Sequence, residues 1–150
     1  MRDESLQLIR ALVGVLDFSA REVESTTGIT NAQLFLLRQL SAAGHPSVAE
    51  LAERLRARPN TISALLTRLV AAGYVLKERS PLDGRRAVLS ITPAGRRLLA
   101  RAPKAAVEIL LEALDAMSLR EVRLLVKSLT PLITRLGLHP ELAPLLFENR

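Results

Sequence analysis

Apolar residues recur along this chain at helical spacing, and residues that start and stop helices punctuate the intervals between them. Leu6, Leu8, Ile9, Leu12, Val13, Val15, Leu16 and Val23 predict a first helix that is apolar on more than one face. Such a helix has to be covered on several sides, by a core or by a partner. After Gly28, Thr30 and Gln33 have the spacing of a capping box, in which hydroxyl and amide each satisfy an orphan backbone N–H. Leu34, Leu37 and Leu40 then line one face of a second helix that ends near Gly44. Ser47 and Glu50 repeat the device and open a short third helix carrying Val48, Leu51, Ala52 and Leu55 at helical intervals. The chain turns through Arg56, Ala57 and Arg58. Pro59 suits the first turn of a fourth helix, where its missing N–H costs nothing. Ile62, Leu65, Leu66, Leu69 and Val70 give that helix an apolar stripe, and Gly73 is placed to end it.

From Tyr74 the period changes. Val75–Arg79 and Ala87–Ile91 are short runs rich in branched residues, joined by the turn-forming stretch 80–86, and together they predict a β-hairpin. Thr92 followed by Pro93 starts a fifth helix, predicted to run to about Ala116. Ser118 and Glu121 form a third capping box and open a sixth helix that ends near Gly137, with Pro131 expected to kink or interrupt it. No internal repeat breaks this order. Helix, short turn, helix and hairpin make a winged helix-turn-helix, so the fold class is mainly α, with about six helices and a two-stranded wing.

Composition narrows the function. The chain has 150 residues and no cysteine, which removes disulfides, thiolate metal sites, Cys nucleophiles and thiol redox sensing together. Four aromatic residues (Phe18, Phe35, Tyr74 and Phe147) are too few for a platform that stacks single-stranded bases. His45 and His139 are far apart, and neither has the partners that a metal site or a catalytic base needs. No metal, cofactor or enzymatic activity is therefore expected. The longest uncharged run, Ser25 to Leu37, is too short to span a bilayer, and the N-terminal pattern is not that of a signal peptide. A cytoplasmic location follows as the expectation.

The net charge of +6 is unevenly spread: residues 54–101 carry +9 and the remainder −3. A basic middle between acidic ends suits a surface that faces a polyanion, although an ordinary solvated basic surface has the same signature. The fourth helix favours the first reading. Opposite its apolar stripe lie Asn60, Ala64, Thr67, Arg68 and Ala71, with Ser63 at the flank and Thr61 on the other side. Such small or hydrogen-bonding residues allow close approach to base edges in a major groove. Residues 59–73 contain no Glu or Lys, unlike most surface helices. In the hairpin loop, an arginine can enter the minor groove, and Asp83 is spaced to hold the Arg85 guanidinium.

These residues resemble the MarR family of bacterial transcription regulators. The resemblance is carried by "LTRLVAAGYV" at the end of the fourth helix, by Asp83-x-Arg85 in the loop, and by "LSITPAG" before the fifth helix. It extends over nearly the whole chain and implies a helical homodimer with one winged-helix lobe per subunit. By position, Ser63 stands where members present Thr or Ser to the major groove. Ala64 stands where many carry an arginine, so that contact is absent here. Asp83 and Arg85 match the wing-tip pair, and Arg86 adds a base beside them. With Arg58 ahead of the fourth helix, the DNA-binding set is Arg58, Asn60, Thr61, Ser63, Ala64, Thr67, Arg68, Asp83, Arg85 and Arg86.

The expected organisation is an N-terminal dimerisation helix (1–29), a winged helix-turn-helix lobe (30–95) and C-terminal dimerisation helices (96–150). The apolar excess of the first helix and of the segment after Ser118 supports assembly through the two ends. The expected partners are a pseudo-palindromic double-stranded DNA operator, a second copy of the chain and a small-molecule effector that releases a repressor. The resemblance places the effector between the dimerisation helices and the winged lobe. A winged-helix module that binds protein instead of DNA is the alternative, and it predicts an acidic or apolar wing.

Overall fold

The computed structural model describes residues 1–79 and 87–138. Its elements run α1 (Arg2–Thr27), α2 (Asn31–Ala43), α3 (Val48–Arg54), α4 (Pro59–Ala71), β1 (Val75–Arg79), β2 (Ala87–Ile91), α5 (Pro93–Arg101), α6 (Ala106–Asp115) and α7 (Leu119–Arg135). β1 and β2 pair antiparallel, from Val75 opposite Ile91 to Arg79 opposite Ala87. The expected winged helix-turn-helix is present.

The capping residues act as their spacing predicts. Thr30 and Gln33, Ser47 and Glu50, and Ser118 and Glu121 each exchange side-chain and backbone hydrogen bonds at the starts of α2, α3 and α7. At the other end of α1, Gly28 takes a left-handed conformation (φ 73°), and its N–H bonds the Glu24 carbonyl.

α2 lies at the centre. Leu34, Leu36, Leu37 and Leu40 are fully buried, and the helix packs against α1, α4, β2, α5 and α6. Leu51 of α3, Ile62 and Leu69 of α4, Val75 and Leu89 of the hairpin, and Leu98 of α5 complete this core. α4 and the helix at the centre of the core are therefore in direct contact.

One feature differs from the sequence expectation. The single helix expected from Pro93 to about Ala116 is divided into α5 and α6, so seven helices stand among the described residues. Pro103 is the cause, because proline disfavours a helical conformation in the residue before it, and Ala102 is extended (φ −71°, ψ 136°). Of the two outcomes expected at Pro131, interruption does not occur, and α7 continues to Arg135. Proline fits helical φ and removes one backbone hydrogen bond there, a loss that a long helix can sustain.

The two ends of the chain are poorly covered. In α1 only Ser19, Val23 and Thr27 are buried, while Leu6, Leu8, Ile9, Leu12, Val13, Val15 and Phe18 are exposed. α7 has no buried residue at all. Among the described residues, no helix is long and apolar enough to cross a membrane.

Candidate nucleic-acid interface

The candidate surface is built from the turn between α3 and α4. α3 ends at Leu55, and the chain reverses with Arg56 in a left-handed conformation (φ 49°), the one non-glycine residue with positive φ among those described. Backbone bonds from Arg56 N to Glu53 O (3.1 Å) and from Ala57 N to Ala52 O (2.9 Å) lock this turn. Arg58 then caps α4 without a side-chain hydrogen bond, and Pro59 occupies the first turn. Arg54, Arg56 and Arg58, all exposed, thus stand around the start of α4, whose first turn has no acid.

α4 is divided lengthwise as its pattern predicts. Ile62, Leu65, Leu66 and Leu69 are buried, while Asn60, Ser63, Ala64, Thr67, Arg68 and Ala71 are exposed and Thr61 is half-buried. Val70, expected in the apolar stripe, is partly exposed at its edge. The Thr67 hydroxyl donates to the Ser63 carbonyl at 2.8 Å, which commits its hydrogen and leaves its oxygen as an acceptor. One face of a single helix therefore offers two hydroxyl oxygens, an amide, a guanidinium and two small gaps, with no carboxylate among them.

The far end of α4 is fastened to the hairpin. The Tyr74 N–H bonds the Leu69 carbonyl (3.0 Å), and the Thr92 N–H bonds the Tyr74 carbonyl (3.0 Å). Thr92 also donates its hydroxyl to the Gly73 carbonyl and caps α5 through the Gly95 N–H. The base of the hairpin is thereby held at a fixed place beside α4. Asp83, Arg85 and Arg86 lie outside the described residues.

Three charged residues that stand out in the structure lie outside the residues singled out from the sequence. Arg54 and Arg56 extend the basic cluster around Arg58, and their alternate spacing along the turn is the signal that could have found them. Arg38 is the one charged residue of α2, and its guanidinium reaches the segment between α5 and α6. A lone charge in an otherwise uncharged core helix was the available cue.

The sequence model of the MarR family matches residues 6–86, more than half of the chain and the whole of α1 beyond its first turn, α2, α3, α4 and β1. The chain belongs to the MarR family. Among curated relatives, the HTH-type transcriptional repressor MdtR of Bacillus subtilis is 32% identical over 95 residues, which cover 63% of this chain and 61% of that protein. The chain thus spans about three fifths of the length of this MarR relative. Among solved structures, a MepR-like protein complexed with pseudoligands is 22% identical with a TM-score of 0.62, covering 91% of this chain and 97% of that one. A Staphylococcus aureus MepR mutant bound to an oligodeoxyribonucleotide is 21% identical with a TM-score of 0.55, covering 91% and 98%. At these identities the two structures establish the MarR fold alone.

Proposed function

We propose that this MarR-family chain is a transcription regulator, acting as a repressor, that binds a pseudo-palindromic double-stranded operator as a homodimer. The observation that carries the reading is the exposed face of α4: Asn60, Ser63, Thr67 and Arg68 stand clear of the core on a helix without acids. In this reading α4 enters the major groove. Ser63, Asn60 and Arg68 meet base edges, Thr67 accepts through its oxygen, and Ala64 and Thr61 permit close approach. Arg58 contacts phosphate before the helix. In the loop, Arg85, held by Asp83 and reinforced by Arg86, reaches the minor groove. The oligonucleotide bound to the MepR mutant is consistent with this use of the fold.

Residues 30–95 form the DNA-binding lobe in this proposal, and 1–29 and 96–150 form the dimer arms. The exposed apolar residues of α1 and α7 are the reason to place the dimer there. A twofold partner covers them and sets two α4 helices about 34 Å apart, one turn of DNA. A small molecule seated between arms and lobe would release the repressor by changing that spacing. The chain is then a cytoplasmic binding protein and not an enzyme.

Selection of bound sequences from a random duplex pool tests the reading. An enriched motif with twofold symmetry is the expected result, and absence of any enrichment refutes it.

A further inference from the structure

α5 and α6 are joined by an elbow, residues 102–105, which is the covalent route from the winged lobe to α6 and α7. Proline at position 103 keeps this segment extended, so the carbonyls of Ala102, Pro103 and Lys104 and the Ala105 N–H have no partner in a continuing helix. Side chains satisfy them instead. Arg38 Nη2 donates to the carbonyls of Ala102 (3.2 Å) and Pro103 (2.8 Å). Ser19 Oγ of α1 donates to the Lys104 carbonyl at 3.1 Å. Glu108 Oε2 accepts from the Ala105 N–H at 2.7 Å, and Asn31 Oδ1 accepts from the Ala106 N–H at 3.2 Å. The second oxygen of Glu108 lies 3.2 Å from Arg38 Nε, an ion pair without hydrogen-bond alignment.

Arg38 is central to this set, because it alone grips both carbonyls of the bend and the carboxylate beyond it. It is also carried by α2, which packs directly against α4. Its side chain is 29% exposed and that of Glu108 is 20% exposed, so solvent competes weakly for these contacts. We propose that Arg38 is a positioning residue: by clamping the elbow it fixes the angle between α4 and the α6–α7 arm. In a dimer built through the arms, that angle sets the separation of the two α4 helices. This inference rests on the dimeric, DNA-binding reading above.

Because the chain lacks cysteine, Ala71→Cys places a single spin label per protomer at the exposed end of α4. Double electron–electron resonance on the full-length labelled protein then reads the separation of the two helices directly. The expected result is one narrow distance distribution in the Arg38 protein and a broadened or shifted one after Arg38→Ala. Affinity for the selected operator should fall about tenfold, within the range of coupling between distant sites, and the preference for one half-site spacing should flatten. A merely stabilising residue would lower the melting temperature without altering the spacing preference. An unchanged distribution and an unchanged spacing preference in Arg38→Ala overturn the inference and leave the proposed function standing. No dipolar signal in the parent protein overturns the dimeric reading itself. Where Arg38→Ala does not fold, Arg38→Met keeps the apolar stem and carries the same measurements. Failure of both to fold assigns Arg38 to stability alone and overturns the positioning role.

Discussion

The Thr92 hydroxyl donates to the Gly73 carbonyl at 2.8 Å while accepting the Gly95 N–H at 3.0 Å. One side chain thus joins the chain reversal after α4 to the first turn of α5. Thr92→Val keeps the volume and loses both bonds. It should cost about 1–2 kcal/mol, the usual cost of a lost N-cap, whereas Thr92→Ser should retain most of the stability. Urea unfolding midpoints decide between them.

Gly95 is held against that same junction. A Cβ added there would lie 2.5 Å from the Tyr74 carbonyl oxygen and 2.8 Å from Ile91 Cγ1. The first contact is with backbone and cannot be relieved by rotating a side chain. Gly95→Ala should therefore destabilise by about 1–3 kcal/mol despite alanine's better helix propensity. Thermal denaturation at fixed protein concentration checks this.

On DNA, the two classes of contact should separate. Ser63→Ala should weaken operator binding by about 1–3 kcal/mol and leave binding to random duplex nearly unchanged, as expected for a base-edge contact. Arg85→Ala should weaken both and reduce the slope of log affinity against log salt by about one. Fluorescence anisotropy titrations at several salt concentrations measure both quantities.

Assembly through α1 and α7 has a thermodynamic signature. If the exposed leucines and valines of those helices are covered only by a second copy, folding and association are linked, and the melting temperature should rise with protein concentration. A full-length chain that sediments as a monomer at micromolar concentration with a concentration-independent melting temperature would exclude this assembly.

The start of α7 should respond to acid. Hydrogen bonds from the Ser118 hydroxyl and backbone N–H hold the Glu121 carboxyl below its ordinary pKa. A group depressed in the folded state contributes stability above its unfolded pKa, and that contribution is lost as pH falls through the folded value. Ser118→Ala should raise the Glu121 pKa toward the usual carboxylate range. Carbon-detected NMR titration of the carboxyl group follows the shift directly.

Most of the fold was legible in the sequence because its boundaries are set by local chemistry. Thr30 with Gln33 and Ser47 with Glu50 act over three residues, and such contacts can be read along a line. The division of α4 into Ile62–Leu65–Leu69 and Ser63–Thr67 faces was legible for the same reason. What escaped was long-range. Arg38 meets Ala102 and Pro103 from 64 and 65 residues away, and nothing in their spacing announces it. The break at Pro103 was legible in principle, but the apolar periodicity on either side of it outweighed one proline.

Arg56 gives the turn before α4 a meaning for sequence variation. At φ 49° an L side chain is disfavoured by about 1–2 kcal/mol, a burden that glycine would not bear. Glycine would also take a cation away from the start of α4. A relaxed backbone and a positive charge therefore exclude one another at this position, and this chain carries the charge.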